Sequence, residues 1–310
     1  MPTDKIRILI LFLTYGDRYK GSLEKFLEIC RQIGLEKRLI IIRNDSENLH
    51  IKQLNDWTFE MGGDNSVFEF SGWQKAIDSE IAHSFVPDVY LIANDAFLAT
   101  GLANSFYALP VLDEEIIRIV YEKGFLAGRK INYPVKGLNS FIQTHFFLVS
   151  AEIVKKIGSI VSENLSEKFL KSEYSADVFT ESKILGEPLK KFIYYTLTQR
   201  WHNKGLKLSS QNYNNFKRKV LCAINEILLS NRIEKLNYKI VDLTPFHSLF
   251  NSFYILPVPF RPVILFQFIR RIIFFIFYIL FHNAYSKKIG LEKWFAEMRI
   301  SNVKNRLSKK

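Results

Sequence analysis

Cysteine is almost missing from this chain of 310 residues: the two present, Cys30 and Cys222, stand far apart. Two distant thiols build neither a disulfide framework nor a metal cluster, and their scarcity fits a reducing compartment. Gly-x-Gly-x-x-Gly and Walker-type loops are missing, as are a serine nucleophile elbow and any zinc-ligand spacing. The corresponding phosphate-loop, hydrolase and zinc chemistries therefore have no foothold. Nothing at the start has the make-up of a signal peptide, because the apolar run Ile6–Leu13 is short, follows Asp4 and Lys5, and lacks a small-residue cleavage site. Internal repeats and low-complexity segments are absent too. A hydrophobic content of 48% with 15% aromatics excludes intrinsic disorder, and the length suffices for one large domain or two modest ones.

Acidic residues are scarce where the chain ends. The net charge is +12, and from Arg261 to Lys310 eleven Lys/Arg face only Glu292 and Glu297, a local excess of +9. The remainder is close to neutral, which argues against a nucleic-acid-binding core and for a basic tail with its own task. The tail begins beyond Pro257-Val258-Pro259-Phe260-Arg261-Pro262 and contains Ile272–Phe281, whose only polar side chain is Tyr278. Ten residues rise about 15 Å as a helix, roughly half the hydrocarbon thickness of a bilayer. Extension back to Val263 takes in Gln267, Arg270 and Arg271. A helix lying in the plane of an anionic membrane surface fits this pattern best. A true span and a buried core or oligomer helix are the alternatives. The aromatics form one unbroken block instead of interleaving with Lys/Arg, so nucleic acid is not an expected partner.

The apolar runs of the first two hundred residues are continuous, as buried parallel strands read. Ile6–Leu13 leads into Thr14-Tyr15-Gly16-Asp17, and Ser22 to Ile33 has helical spacing with Gly34 as its cap. Arg38–Ile42 ends in Asn44-Asp45. A turn-rich loop, Gly62 to Ser66, precedes a helix from Trp73 to His83, and Val89–Ala93 ends in Asn94-Asp95. Ile116–Tyr121 and Phe141–Val149 read as further strands or strand-helix borders, and Ser166 to Lys204 as mainly helical with a break at Gly186-Glu187-Pro188. Strand-helix-strand order of this kind implies an α/β fold with a doubly wound, mostly parallel sheet. In such sheets ligands bind beyond the carboxyl ends of the strands, where these polar clusters would gather.

The run Asn65-Ser66-Val67-Phe68-Glu69-Phe70-Ser71-Gly72-Trp73-Gln74-Lys75-Ala76, followed by Asp88-Val89-Tyr90-Leu91-Ile92-Ala93-Asn94-Asp95, resembles the rhamnan-synthesis F type of bacterial glycosyltransferase. Phe141-Ile142-Gln143-Thr144-His145-Phe146-Phe147 is similar to that family's Ile-Gln-Ser-Tyr-Phe segment. More distantly the layout resembles the inverting GT-A glycosyltransferases, over about residues 5–205. The resemblance implies a nucleotide-sugar donor, a lipid-linked or other surface-glycan acceptor, and work at the cytoplasmic face of the cell membrane. It places Thr14, Tyr15, Asp17, Asn44 and Asp45 around the base and ribose, Asn65 and Gly72 near the sugar and diphosphate, and Gln143 and His145 on the acceptor side. Asn94-Asp95 occupies the position of the family's Asp-x-Asp, with Asp95 as metal ligand. Glu181 is the candidate general base, with Asp177 as the second candidate for that role. The implied organisation is a donor-binding domain over 1–205, a helical extension over 206–256 and the basic membrane-associating tail over 257–310.

The triplet here is Asn94-Asp95-Ala96, one carboxylate short of the family pattern. One carboxylate with diphosphate oxygens and water still suits Mg2+ or Mn2+. Neutralisation of the leaving group by Arg129 or Lys130 is the alternative. Each residue also has a plainer reading. Asp95 is a helix cap, Asp45 a turn former, Trp73 a core anchor, and His145 a core histidine inside an apolar run. Gly62-Gly63 is an ordinary loop, and Glu173, Asp177 and Glu181 a solvated helical face. A catalytically degenerate, membrane-peripheral interaction protein is the rival function.

Overall fold

The computed structural model describes residues 5–16, 19–97, 112–131, 140–162, 168–175, 177–181, 185–199 and 207–243. The chain divides after Thr244, and all described residues belong to the first unit. The basic tail and Asp17 lie outside the described residues. No described helix is long and apolar enough to cross a membrane.

Among the described residues the chain forms β1 (Arg7–Thr14), α1 (Ser22–Arg31), β2 (Glu36–Arg43), β3 (Lys52–Asn55), β4 (Thr58–Gly62), α2 (Glu69–Ile77), α3 (Glu80–Phe85), β5 (Val89–Asn94), α4 (Glu114–Lys123), β6 (Phe125–Ile131), β7 (Phe141–Ser150), α5 (Ala151–Ile157), α6 (Glu187–Gln199), α7 (Tyr213–Lys235) and β8 (Lys239–Asp242). The strands make one mixed sheet in the order β3-β4-β2-β1-β5-β7-β6-β8. Strands β4, β2, β1 and β5 are mutually parallel, whereas β7 runs antiparallel to both β5 and β6. The α/β class is as expected; the sheet is parallel at its centre and antiparallel toward β7.

The inner strands β1 and β5 are buried nearly throughout because helices cover both faces, which is why their sequences run apolar without alternation. On one face Leu9, Leu11, Leu13, Ile40, Ile42 and Ile92 pack against Phe70 and Trp73 of α2. On the other, Phe12 stacks on Phe26 of α1 at 4.3 Å between centroids, and Phe97 meets Phe26 and Phe146 at 5.4 and 5.9 Å.

Several boundaries differ from the expectation for local reasons. The helix expected over Trp73 to His83 is two, because Ser79 accepts from Ala82 N as the N-cap of α3. Residues 116–121 are helical: Asp113 caps α4 by accepting from Glu115 N and Ile116 N, and Gly124 at φ 62 ends it. Gly34 is not the α1 cap; its N–H donates to Glu114 Oε1 at 2.8 Å. The interruption at Gly186-Glu187-Pro188 is the start of α6, where a proline in the first turn is accommodated.

The sheet also continues past residue 205. Strand β8 pairs parallel with β6, its register held by Lys130 N donating to Asp242 Oδ1. Helix α7 is pinned to the 157–162 loop: Asn225, fully buried, accepts from Ser162 N and donates to Ile160 O, and Arg232 donates to Ile157 O and Ser159 O. Residues 207–243 thus belong to the α/β body and not to a separate helical extension.

Candidate functional site

Chain direction brings the polar strand ends to one rim. The C-terminal ends of β1, β2, β4 and β5 face the same way, and antiparallel β7 presents its N-terminal half there. From β1 the chain turns to β2 and β4 on one side, then crosses to β5 on the other. That reversal makes the space between the loops after β1 and β5 the topological switch point, where open α/β sheets are expected to offer a crevice to ligands.

Hydrogen bonds tie these loops together. Asp95 Oδ2 accepts from Tyr15 N at 2.9 Å, and Asp45 Oδ2 accepts from Gly16 N at 3.2 Å. The two carboxylates therefore hold consecutive amides of the same β1 loop, one from each side of β1. Asp95 is almost buried, with Ser22 Oγ donating to its carbonyl, while Asp45 is exposed. The Tyr15 side chain is 52% exposed beside them. Thr14 is buried, its Oγ1 accepting from Arg43 Nη1, and Arg43 pairs with Glu60 at 2.7 Å.

Asn44 organises the loop after β4. Its Nδ2 donates to Asn65 Oδ1 and Phe68 O at 3.0 and 3.1 Å, and its Oδ1 accepts from Asn65 N. Asn65 and Phe68 adopt φ of 53 and 50. Asparagine tolerates that region, but phenylalanine there costs of order 1–3 kcal/mol, a strain that concentrates at ligand sites. Gly72 makes the close approach expected of it toward the protein itself: a Cβ there would stand 2.6 Å from Leu13 Cδ1 and 2.9 Å from Asn44 Oδ1. Gly72→Ala should lower unfolding free energy by about 1–3 kcal/mol through this overpacking, measured by urea titration. An unchanged midpoint and slope would show that α2 stands off the sheet.

On the β5 side of β1, Asn94 Nδ2 donates to Glu69 Oε1 and to His145 Nδ1, both at 3.3 Å. His145 sits in a β7 bulge between the Gly128–Phe147 and Arg129–Gln143 pairs, and Gln143 Oε1 is buried with no hydrogen-bond partner. Behind them Glu226 of α7 accepts from Thr144 N and Oγ1 at 2.7 and 3.0 Å. These side chains line a recess that solvent touches only in part.

Desolvation pushes Glu226 up to about 7, against the Thr144 hydrogen bonds, with the Glu69 charge adding to the rise. Burial likewise raises Glu69 and the Cys222 thiol that bonds it. Burial lowers His145 to about 4, helped by the Arg129 cation. An unfolded glutamate titrates near 4.3, so the folded state holds the Glu226 proton more tightly between about pH 4.3 and 7. That stabilisation is complete below 4.3 and lost as pH rises through 7. His145 works in reverse, adding stability as pH rises from about 4 to 6.5. The two contributions oppose over a shared window. Glu226→Gln removes one of them, so relative to the wild type the variant should gain about 2 kcal/mol between pH 4.5 and 6.5. Urea unfolding at the two pH values measures this, and parallel pH profiles would contradict it.

Glu181 and Asp177 lie on a non-helical segment whose Val178 and Phe179 pack in one cluster with Phe141, at the rim end of β7. Asp177 is exposed and locally engaged: its Oδ1 accepts from Phe179 N, and Lys171 lies 3.8 Å from Oδ2. Glu181 is exposed, and among the described residues no hydrogen bond or ion pair joins it to the strand ends. Sequence reasoning missed Glu69 and Glu226 as members of the recess. Glu69 had a signal in its place between Phe68 and Phe70, a charge between two aromatic residues; Glu226 sits at helical spacing from Cys222 on α7.

Among the described residues no three His, Cys, Asp or Glu side chains come together as a metal cage. The donor set that remains, Asp95 alone, suits a magnesium ion carried in mainly by ligand phosphates and water. No family model matches the chain, and no curated protein sequence matches it.

Proposed function

We propose that this protein is a glycosyltransferase of GT-A-like architecture that moves a sugar from a nucleotide-sugar to a surface-glycan acceptor by a single inverting displacement. The observation that carries the reading is the convergence at the switch point. Asp95 and Asp45, from strands on opposite sides of β1, grip adjacent amides of the β1 loop. The Asn44–Asn65 bonds add the β4 loop to the same rim. The resemblance of residues 65–76 and 88–95 to the rhamnan-synthesis F type supports the choice of chemistry.

In this reading the exposed Tyr15 ring and Asp45 receive the nucleoside. Asp95 faces the diphosphate and would hold a divalent ion, whose charge stabilises the departing nucleoside diphosphate. Arg129 and Lys130, at the rim end of β6, are the nearby cations for the same charge. The acceptor hydroxyl loses its proton to a carboxylate as it attacks the anomeric carbon, and one base on the acceptor side gives inversion. Glu181 holds that role on the resemblance alone. The basic tail would keep the enzyme at an anionic cytoplasmic leaflet, at about 1 kcal/mol per cation near the surface, and so raise the effective concentration of a lipid-linked acceptor.

A panel of nucleotides and nucleotide-sugars, each with and without Mg2+ or Mn2+, tests the reading by thermal shift. A true donor at 100 times its Kd stabilises by about 2.7 kcal/mol. No shift from any nucleotide-sugar would remove the proposal. The rival, a degenerate interaction protein, is kept open by the single carboxylate, Asp95, at the metal position. Slow metal-dependent release of nucleoside diphosphate from the bound donor decides for the enzyme.

A further inference from the structure

One backbone amide sets the direction of a hydrogen-bond chain in the recess. Ala96 N–H can only donate, and the atom it reaches at 3.2 Å is Asn94 Oδ1. The other amide atom of Asn94 is therefore the NH2, and an NH2 has no acceptor capacity. It reaches Glu69 Oε1 and His145 Nδ1. His145 Nδ1 must then carry a lone pair, which leaves the ring proton on Nε2. Among the described residues Nε2 meets no hydrogen-bond partner, and the ring is only half-buried at the rim beside Asn94-Asp95.

We infer that Glu69 and Asn94 hold His145 as a neutral Nε2–H donor, and that this N–H is offered to an uncharged oxygen of the ligand, a sugar hydroxyl, and not to its phosphates. A phosphate at Nε2 favours imidazolium, and imidazolium needs a second proton on Nδ1, against the Asn94 NH2. The charges on the surrounding elements act the same way. Arg129 of β6 repels a cationic ring. Glu69 of α2, Cys222 and Glu226 of α7 are all displaced toward their protonated forms, so the recess offers little negative charge to hold a cation. Asp95, beyond Glu69, is occupied with Tyr15 N. Only the identity of the ligand rests on the glycosyl-transfer reading; the ring's protonation state does not.

The test is 15N NMR of histidine-labelled full-length protein, with binding measured beside it. The expected result is the Nε2–H tautomer, unchanged from pH 5 to 8. Asn94→Asp replaces the donor at Nδ1 by an acceptor, so the proton should move to Nδ1 and the ring should titrate at about 6.5 or above. A wild-type ring found as the Nδ1–H tautomer, or as imidazolium at pH 6, overturns the inference. His145→Ala should weaken nucleotide-sugar binding about tenfold, the worth of one good hydrogen bond, and leave the matching nucleoside diphosphate unchanged. Equal weakening of both, or of neither, overturns the sugar assignment. If no nucleotide-sugar binds the wild type, the glycosyl-transfer reading and the sugar assignment fail together, while the NMR result judges the tautomer separately.

Discussion

Asp95→Asn is expected to erase the thermal shift given by the wild type's nucleotide-sugar, a loss of about 2.7 kcal/mol at 100 times Kd. Asparagine keeps an acceptor for Tyr15 N, whose bond to Asp95 Oδ2 is 2.9 Å. What it removes is the charge. The apo variant should therefore melt within a few degrees of the wild type, because a neutral hydrogen bond differs from a charge-assisted one by only about 1 kcal/mol. Asp95→Ala is the less informative change, since it also removes the acceptor of the Tyr15 amide. A full-sized shift in Asp95→Asn would mean that the carboxylate is a loop clamp and that ligand charge is met elsewhere.

Trp73→Ala should be the most destabilising single change in the described part of the molecule, by about 3–5 kcal/mol. The ring is fully buried. It packs edge-on against Phe70 and Phe147 at 5.4 and 6.1 Å, and its Nε1 donates to Ala93 O at 3.2 Å. Removal leaves a cavity between α2 and the centre of the sheet and takes one donor away from the Ala93 carbonyl. Because most domains are stable by only 5–15 kcal/mol, the variant should lie close to its unfolding threshold. Equilibrium unfolding checks the figure; a cost below 1 kcal/mol would show that the ring is not sealed in the core. Trp73 is a core anchor, and it has no face left for stacking on a ligand.

The central strands were legible because burial on both faces leaves an unbroken apolar run, as in Leu9–Leu13 and Val89–Ala93. The segment of helix α4 reads as a strand or a strand-helix border, although helix signals are present in it. Asp113 and Gly124 bracket it, and Ile116, Ile117 and Val120 keep helical spacing. The caps decide the fold there. Strands β3 and β6 were hidden for different reasons. The four residues of β3 are exposed and polar, an edge that sequence cannot tell from a loop. Strand β6 follows directly on the Gly124 cap, so it reads as a continuation of the helix before it.

For the candidate site, the loops were legible and the geometry within them was not. Asn44, Asn65, Asn94 and Asp95 do lie along one rim, yet the side chains of Asn44 and Asn94 are committed to internal bonds with Phe68, Asn65, Glu69 and His145. They shape the rim while Tyr15 and Asp45 face solvent. No local pattern reveals such a division, because it depends on pairs up to fifty-one residues apart. Gly72 shows the same limit: close backbone approach was foreseeable, but its partner, Leu13 with Asn44, was not.

The central claim, that four strand-end loops share one ligand, is tested most directly by amide hydrogen exchange with and without the nucleotide-sugar that gives the largest thermal shift. Slowed exchange is expected together in segments 14–16, 44–46, 63–66 and 94–96, with little change at the exposed 171–175 segment. Protection confined to one of these loops, or centred on 171–175, would contradict the account.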